Sequence, residues 1–214
     1  MTDYLTEQEQ VELLKKWIKQ YSPVVILGVA LAIITSLGMQ WWHNRQIKTY
    51  THASHIYDEM LNFKAQNNLA SSLTQAERLI TRYPNTIYAP LASLFKASAA
   101  IKNQQFKQAE ADLNWAIEHS QSNAFTWLAK LRLARVLIAE ANSTAALKLL
   151  EHHFPTAFNP LRYELQGDAY LQTKQLDKAR SAYQAALKSL PNAASARPLL
   201  LMKFQSLANA KPVA

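Results

Sequence analysis

The chain has no cysteine. That excludes disulfides, thiolate metal sites, a Cys nucleophile and a lipid-anchored Cys, and it leaves the redox compartment open. Glycine is almost as scarce: Gly28, Gly38 and Gly167 are the whole supply. A phosphate-binding loop needs several glycines close together, so that route to nucleotide chemistry is closed. No Asp, Glu, Lys or Arg lies between Lys19 and Arg45. No stretch alternates β-branched with polar residues for long, which leaves little material for a sheet. Ala, Leu, Lys and Gln dominate instead, a composition that suits helices.

The uncharged gap carries the first positive signal. Its core, Val24 to Trp42, reads VVILGVALAIITSLGMQWW. A helix crossing a bilayer needs about 20 mostly apolar residues. Trp17 and Tyr21 before the core, and Trp41 and Trp42 at its end, suit the two lipid–water interfaces. A cleaved signal peptide would start with a short basic segment, whereas Asp3, Glu7, Glu9 and Glu12 precede this run. The small-x-small sequence Ala30-Leu31-Ala32 falls mid-run and not at its end. An uncleaved single span over residues 23–42 is expected. Lys15, Lys16 and Lys19 outnumber Arg45 and Lys48, which favours an inside N-terminus. Residues 1–22 then form a cytoplasmic amphipathic tail, and residues 43–214 lie on the far side. Thr6-Glu-Gln-Glu9 reads as a capping box. Val11, Leu14, Ile18 and Tyr21 give the tail helix one apolar face, and Ser22-Pro23 is expected to break it. Gly28, Ala32 and Ser36 recur every four residues and present a small-residue packing face to a partner helix.

From His43 onward there are 20 Lys and Arg against 11 Asp and Glu, a balance of +9. The charges are scattered, with no run of five. A solvated basic surface accounts for them, and no nucleic-acid partner is expected.

The far body repeats. Within Pro160 to Ala193, Tyr163, Gly167 and Tyr170 stand at the spacing of the first tetratricopeptide helix. Ala179, Tyr183, Ala186 and Pro191 stand at that of the second. Small residues belong where the two helices of a hairpin cross closely. Upstream, Ala76, Ala109, Ala146 and Ala179 lie 33, 37 and 33 residues apart. Ile80, Leu113, Leu150 and Tyr183 follow four residues after each. Ala97 and Ala134 precede Ala109 and Ala146 by 12 residues, as Gly167 precedes Ala179. The fold expected is all-α: one N-terminal transmembrane helix, then an α-solenoid of degenerate tetratricopeptide repeats. The repeats fall at 45–84, 90–122, 127–158 and 160–193, and a capping helix covers 198–208. In the first repeat, Tyr50, Tyr57, Leu61 and Lys64 line one side of the helix from Arg45 to Gln66. Asn67 to Ser72 is a loop before a helix from Leu73 to Tyr83.

In such stacks the first helix of each hairpin lines the inner groove. The register of Gly167 places Leu161, Glu164, Asp168 and Leu171 there. The matching positions upstream are Leu91, Leu94, Ser98 and Ile101, then Leu128, Leu131, Arg135 and Ile138. Eight of these twelve are Leu or Ile. An apolar groove suits an amphipathic helix or an extended unfolded polypeptide. The competing occupants are the chain's own membrane-proximal helix and its C-terminal helix.

Catalytic signals are missing. His52 with His55, and His152 with His153, lack a third ligand nearby, and zinc takes three or four. No nucleophile elbow is present. Neither an enzyme nor a cofactor is expected.

An acidic-then-basic tail, a single span ending in Trp and a body of degenerate repeats together resemble the YfgM family. Leu131-Arg132-Leu133-Ala134-Arg135-Val136, Gly167-Asp168-Ala169, Ala179-Arg180-Ser181-Ala182-Tyr183 and Met202-Lys203 carry the likeness over almost the whole chain. That family is the ancillary subunit of the SecYEG translocon. The resemblance implies a bacterial inner-membrane protein with periplasmic repeats and no enzymatic activity. It implies two partners, the translocon and PpiD, a membrane-anchored periplasmic chaperone, and a role with translocating polypeptides. A scaffold for cell-envelope or division machinery is the alternative of the same class.

Overall fold

The computed structural model describes residues 7–191 and 194–209. Every regular element among the described residues is helical. The chain divides into two compact units, Met1–His52 and Ala53–Ala214.

Helix α1 spans Glu7–Ala65 without interruption. The break expected at Ser22-Pro23 is absent. A proline removes one backbone donor, which weakens a helix at one point without ending it when both flanks propagate helix. The expected capping box includes Thr6 and lies outside the described residues. Within the N-terminal unit, Ile26, Leu31, Ile34 and Met39 are all more than half exposed. A helix this long and apolar meets the length and composition needed to cross a membrane. Thr35 Oγ1 donates to the Leu31 carbonyl at 2.8 Å, so its hydroxyl makes no demand on lipid. The rings of Trp17 and Tyr21 lie 5.5 Å apart, and the Arg45 guanidinium sits 5.4 Å from the Trp41 ring.

The second unit is a row of helical hairpins. The end of α1 pairs with α2 (Leu69–Arg82). Next come α3 (Tyr88–Lys102) with α4 (Phe106–His119), and α5 (Asn123–Ala139) with α6 (Ser143–Leu150). Then α7 (Asn159–Gln172) pairs with α8 (Leu176–Ser189), and α9 (Arg197–Asn209) follows. Ala76, Ala109, Ala146 and Ala179 are fully buried, as are Ala97 and Ala134 to within 1%. The absence of a larger side chain lets the helices of each hairpin approach. Leu113, Leu150 and Tyr183 are fully buried as expected. In the first hairpin the buried residue is Leu79, and Ile80 is only partly covered. The inward face of α1 is Ala53, Ile56 and Met60 with Tyr57 beside them, whereas Leu61 is exposed. The expected loop to Ser72 is shorter than foreseen, because Asn68 caps α2 by accepting from the Ser71 amide at 3.1 Å.

All four hairpins turn the same way. Asn67, Gln104, Ala141 and Lys174 have φ of 56°, 59°, 61° and 59°. The following amides of Asn68, Gln105, Asn142 and Gln175 donate back to Phe63, Ala100, Leu137 and Tyr170 at 2.8–2.9 Å. These are Schellman closures, normally made with glycine. Here no turn has one.

Among the described residues three apolar clusters follow the stack. One joins the end of α1 to α2 and Ala92 of α3. The largest runs from α3 to α7. The last joins α8 to Leu200 and Leu207 of α9, with Tyr163 and Tyr170 of α7 against it.

Candidate protein-interaction face

The first helices of neighbouring hairpins touch: α3 meets α5, and α5 meets α7. That contact sorts the twelve groove positions. Leu94 and Leu131 are 4% and 1% exposed and belong to the central core. Ser98 and Arg135 are exposed, and Leu171 is 40% exposed. Leu91, Ile101, Leu128, Ile138 and Leu161 are partly buried. A row read at helical spacing includes positions pressed between adjacent helices, and those cannot face a partner.

The C-terminal end of the row is occupied by the chain itself. Lys203 of α9 donates to Glu164 Oε1 at 2.8 Å and to both carboxylate oxygens of Asp168 at 2.9 Å. Tyr183 donates its hydroxyl to Asp168 Oδ1 at 2.7 Å. Burial alone pulls the Lys203 ammonium down. Its hydrogen bonds to Asp168 and Glu164, with their charges, outweigh that, and its pKa is raised. Burial first, then the Asp168 carboxylate, pushes Tyr183 far above the usual phenol range. Both side chains therefore hold their protons at neutral pH. Motif spacing pointed to Glu164 and Asp168 but not to Lys203, whose partners lie 39 and 35 residues away.

A second ionic group ties three helices. Lys96 of α3 lies 2.6 Å from Glu77 of α2 and 3.5 Å from Asp112 of α4. Asp112 is buried, and its Oδ2 has no hydrogen-bond partner. Burial raises its pKa despite the Lys96 charge and the bond from Gln108. Among the described residues no group of three or more His, Asp or Glu is placed to hold a metal. On α1, a Cβ added at Gly28 would meet nothing within 4 Å beyond the helix's own backbone among the described residues, and Ala32 and Ser36 are exposed within their unit.

The hairpin stack, its repeated left-handed turns and its capping helix define a tetratricopeptide-like solenoid, preceded by an apolar helix able to span a bilayer. A family model described as a tetratricopeptide repeat-like domain matches residues 15–209. The chain is 30% identical over 209 residues to the ancillary SecYEG translocon subunit of Neisseria gonorrhoeae, covering 97% of this chain and 100% of that one. Proteins of the same description from Haemophilus influenzae and Escherichia coli are each 28% identical, over 86% and 88% of this chain and 90% and 91% of theirs. The chain belongs to this tetratricopeptide repeat-like family of ancillary SecYEG translocon subunits. Among solved structures, the MamA RS-1 ArsTM double mutant matches with a TM-score of 0.55 at 17% identity, covering 73% of this chain and 94% of that one. That likeness concerns the fold.

Proposed function

We propose that this protein is a non-enzymatic, single-span ancillary subunit of the Sec translocon in the bacterial inner membrane. The observation that carries this is the end-to-end likeness to the ancillary SecYEG translocon subunit of Neisseria gonorrhoeae, which leaves no part of that relative unmatched. In this reading residues 1–22 lie in the cytoplasm, residues 23–42 cross the membrane, and residues 43–214 form the periplasmic body. The span's small face at Gly28, Ala32 and Ser36 packs against translocon helices. The body brings a PpiD-like chaperone to the exit side and handles polypeptides as they emerge. Its contact row is Leu91, Ile101, Leu128 and Ile138, which are partly exposed and aliphatic. Such a row receives an amphipathic helix or an unfolded segment through apolar burial.

Photocrosslinkers placed at Gly28, Ala32 and Ser36 in cells test the span. Capture of SecYEG subunits from these positions, and not from the opposite face, is the expected result. Capture of neither face's neighbours from the translocon sinks the assignment. Protease added to intact spheroplasts tests the orientation. The body is expected to be digested, and its survival until the membrane is broken would reverse the topology.

A further inference from the structure

At the turn-bearing edge of the stack, beside Ser98, lies a recess of about 360 Å³. Lys64 and Asn67 line it from the end of α1 and its turn, and Lys102 and Asn103 from the end of α3. Phe95 and Leu69 supply its apolar surface. Among the described residues no acidic side chain lines it. The Lys64 ammonium lies 5.6 Å from the centre of the Phe95 ring. Among the described residues Lys96, Lys107 and Lys203 each face a carboxylate, whereas neither Lys64 nor Lys102 does. Two uncompensated ammonium groups therefore share one concavity with two side-chain amides and an aromatic face.

We infer that this recess binds an acidic segment of a partner protein, one in which a carboxylate side chain stands next to a large apolar one. The carboxylate meets Lys64 and Lys102 and accepts from the amide groups of Asn67 and Asn103. The apolar neighbour covers Phe95 and Leu69. The chemistry separates this occupant from two others. A free inorganic anion leaves the Phe95 and Leu69 surface wet. A bilayer surface is broad and cannot enter a concavity of side-chain size, whereas a peptide side chain can. The inference rests on the protein-interaction reading above and adds the chemistry of the ligand at one end of the row. Ser98, one of the twelve expected groove positions, lies in the lining of the recess.

The full chain in nanodiscs of zwitterionic lipid is titrated with fluorescent peptides pairing Glu or Asp with Phe or Leu, and with the same peptides carrying Gln or Asn. The acidic peptides are expected to bind about tenfold more tightly, and less tightly as salt rises. Lys64→Gln with Lys102→Gln is expected to abolish that preference. Ser98→Trp, a change at an exposed position, is expected to block binding by filling the recess, and a cooperative thermal transition near the parent's confirms each fold. Equal affinity for acidic and neutral peptides, or an unchanged preference in the double Gln variant, overturns the inference. So does loss of binding to phosphatidylglycerol vesicles in the double Gln variant while peptide binding persists, since that assigns the recess to lipid. Crosslinking of the span to SecYEG alongside any of these failures leaves the translocon reading standing and removes only this one.

Discussion

Gly167→Ala is the sharpest test of the repeat packing. A Cβ at this position would lie less than 3.0 Å from three carbon atoms of the Tyr183 ring. That ring is fully buried, and its hydroxyl is fixed on Asp168 at 2.7 Å, so it has no free end to swing away. Sequence spacing placed the close approach between Gly167 and Ala179. The structure places it between Gly167 and the face of Tyr183 within the same hairpin. Overpacking of this kind costs about 1–3 kcal/mol. Displacing the ring also strains a hydrogen bond to a charged group, which is worth about 1.5–3 kcal/mol. Against that, Ala gains about 1 kcal/mol over Gly in a helix interior. The net expectation is a destabilisation of about 1.5–5 kcal/mol, read as a melting temperature lower by about 3–20 °C for a unit of this size. The measurement is thermal unfolding of the full chain in detergent, followed by circular dichroism. Tyr183→Leu removes the ring, so adding Gly167→Ala to it is expected to cost far less than adding it to the parent. A melting temperature that rises with Gly167→Ala, as helix propensity alone requires, would refute the packing argument.

The left-handed turns invert the usual rule. Ala141→Gly and Lys174→Gly relieve a conformation that costs an ordinary residue about 1 kcal/mol, so each is expected to raise denaturant midpoints with an unchanged slope. Asp112 has a folded-state pKa above its ordinary 3.8, so folding favours its protonated form and neutral pH removes that contribution. Asp112→Asn is therefore expected to be neutral or stabilising at pH 7, with its advantage fading as pH falls through the carboxylate range; a constant difference from pH 7 to pH 3 would contradict this. Leu94→Ser and Leu131→Ser empty core positions and are expected to cost about 2–5 kcal/mol by chemical denaturation. Leu128→Ser with Ile138→Ser, at partly exposed sites, is expected to spare the fold while weakening capture of unfolded polypeptide.

The sequence by itself determined the architecture wherever the physics is local. An uncharged apolar run of bilayer length specifies a spanning helix whatever follows it. Alanines at paired spacings specify where hairpin helices approach, and Ala76, Ala97, Ala109, Ala134, Ala146 and Ala179 are all buried there. The C-terminal helix was legible from Leu199, Leu200, Met202, Phe204 and Leu207, of which the structure buries Leu200 and Leu207 and exposes Leu199 and Met202. Other features were decided only in three dimensions. Gln104, Ala141 and Lys174 carry no turn signature, because tertiary packing of the hairpins forces a backbone that their side chains disfavour, whereas Asn67 is a residue type that tolerates it. Leu94 and Leu131 looked identical to Leu128 in the pattern, yet contact between neighbouring first helices buries the former pair and leaves Leu128 partly open. Lys203 meets Glu164 and Asp168 across more than thirty residues, and Lys64 meets Lys102 at one recess only because two helix ends come together. Local periodicity fixes which face of a helix is apolar. Which part of that face stays open to a partner depends on the neighbours that pack against it.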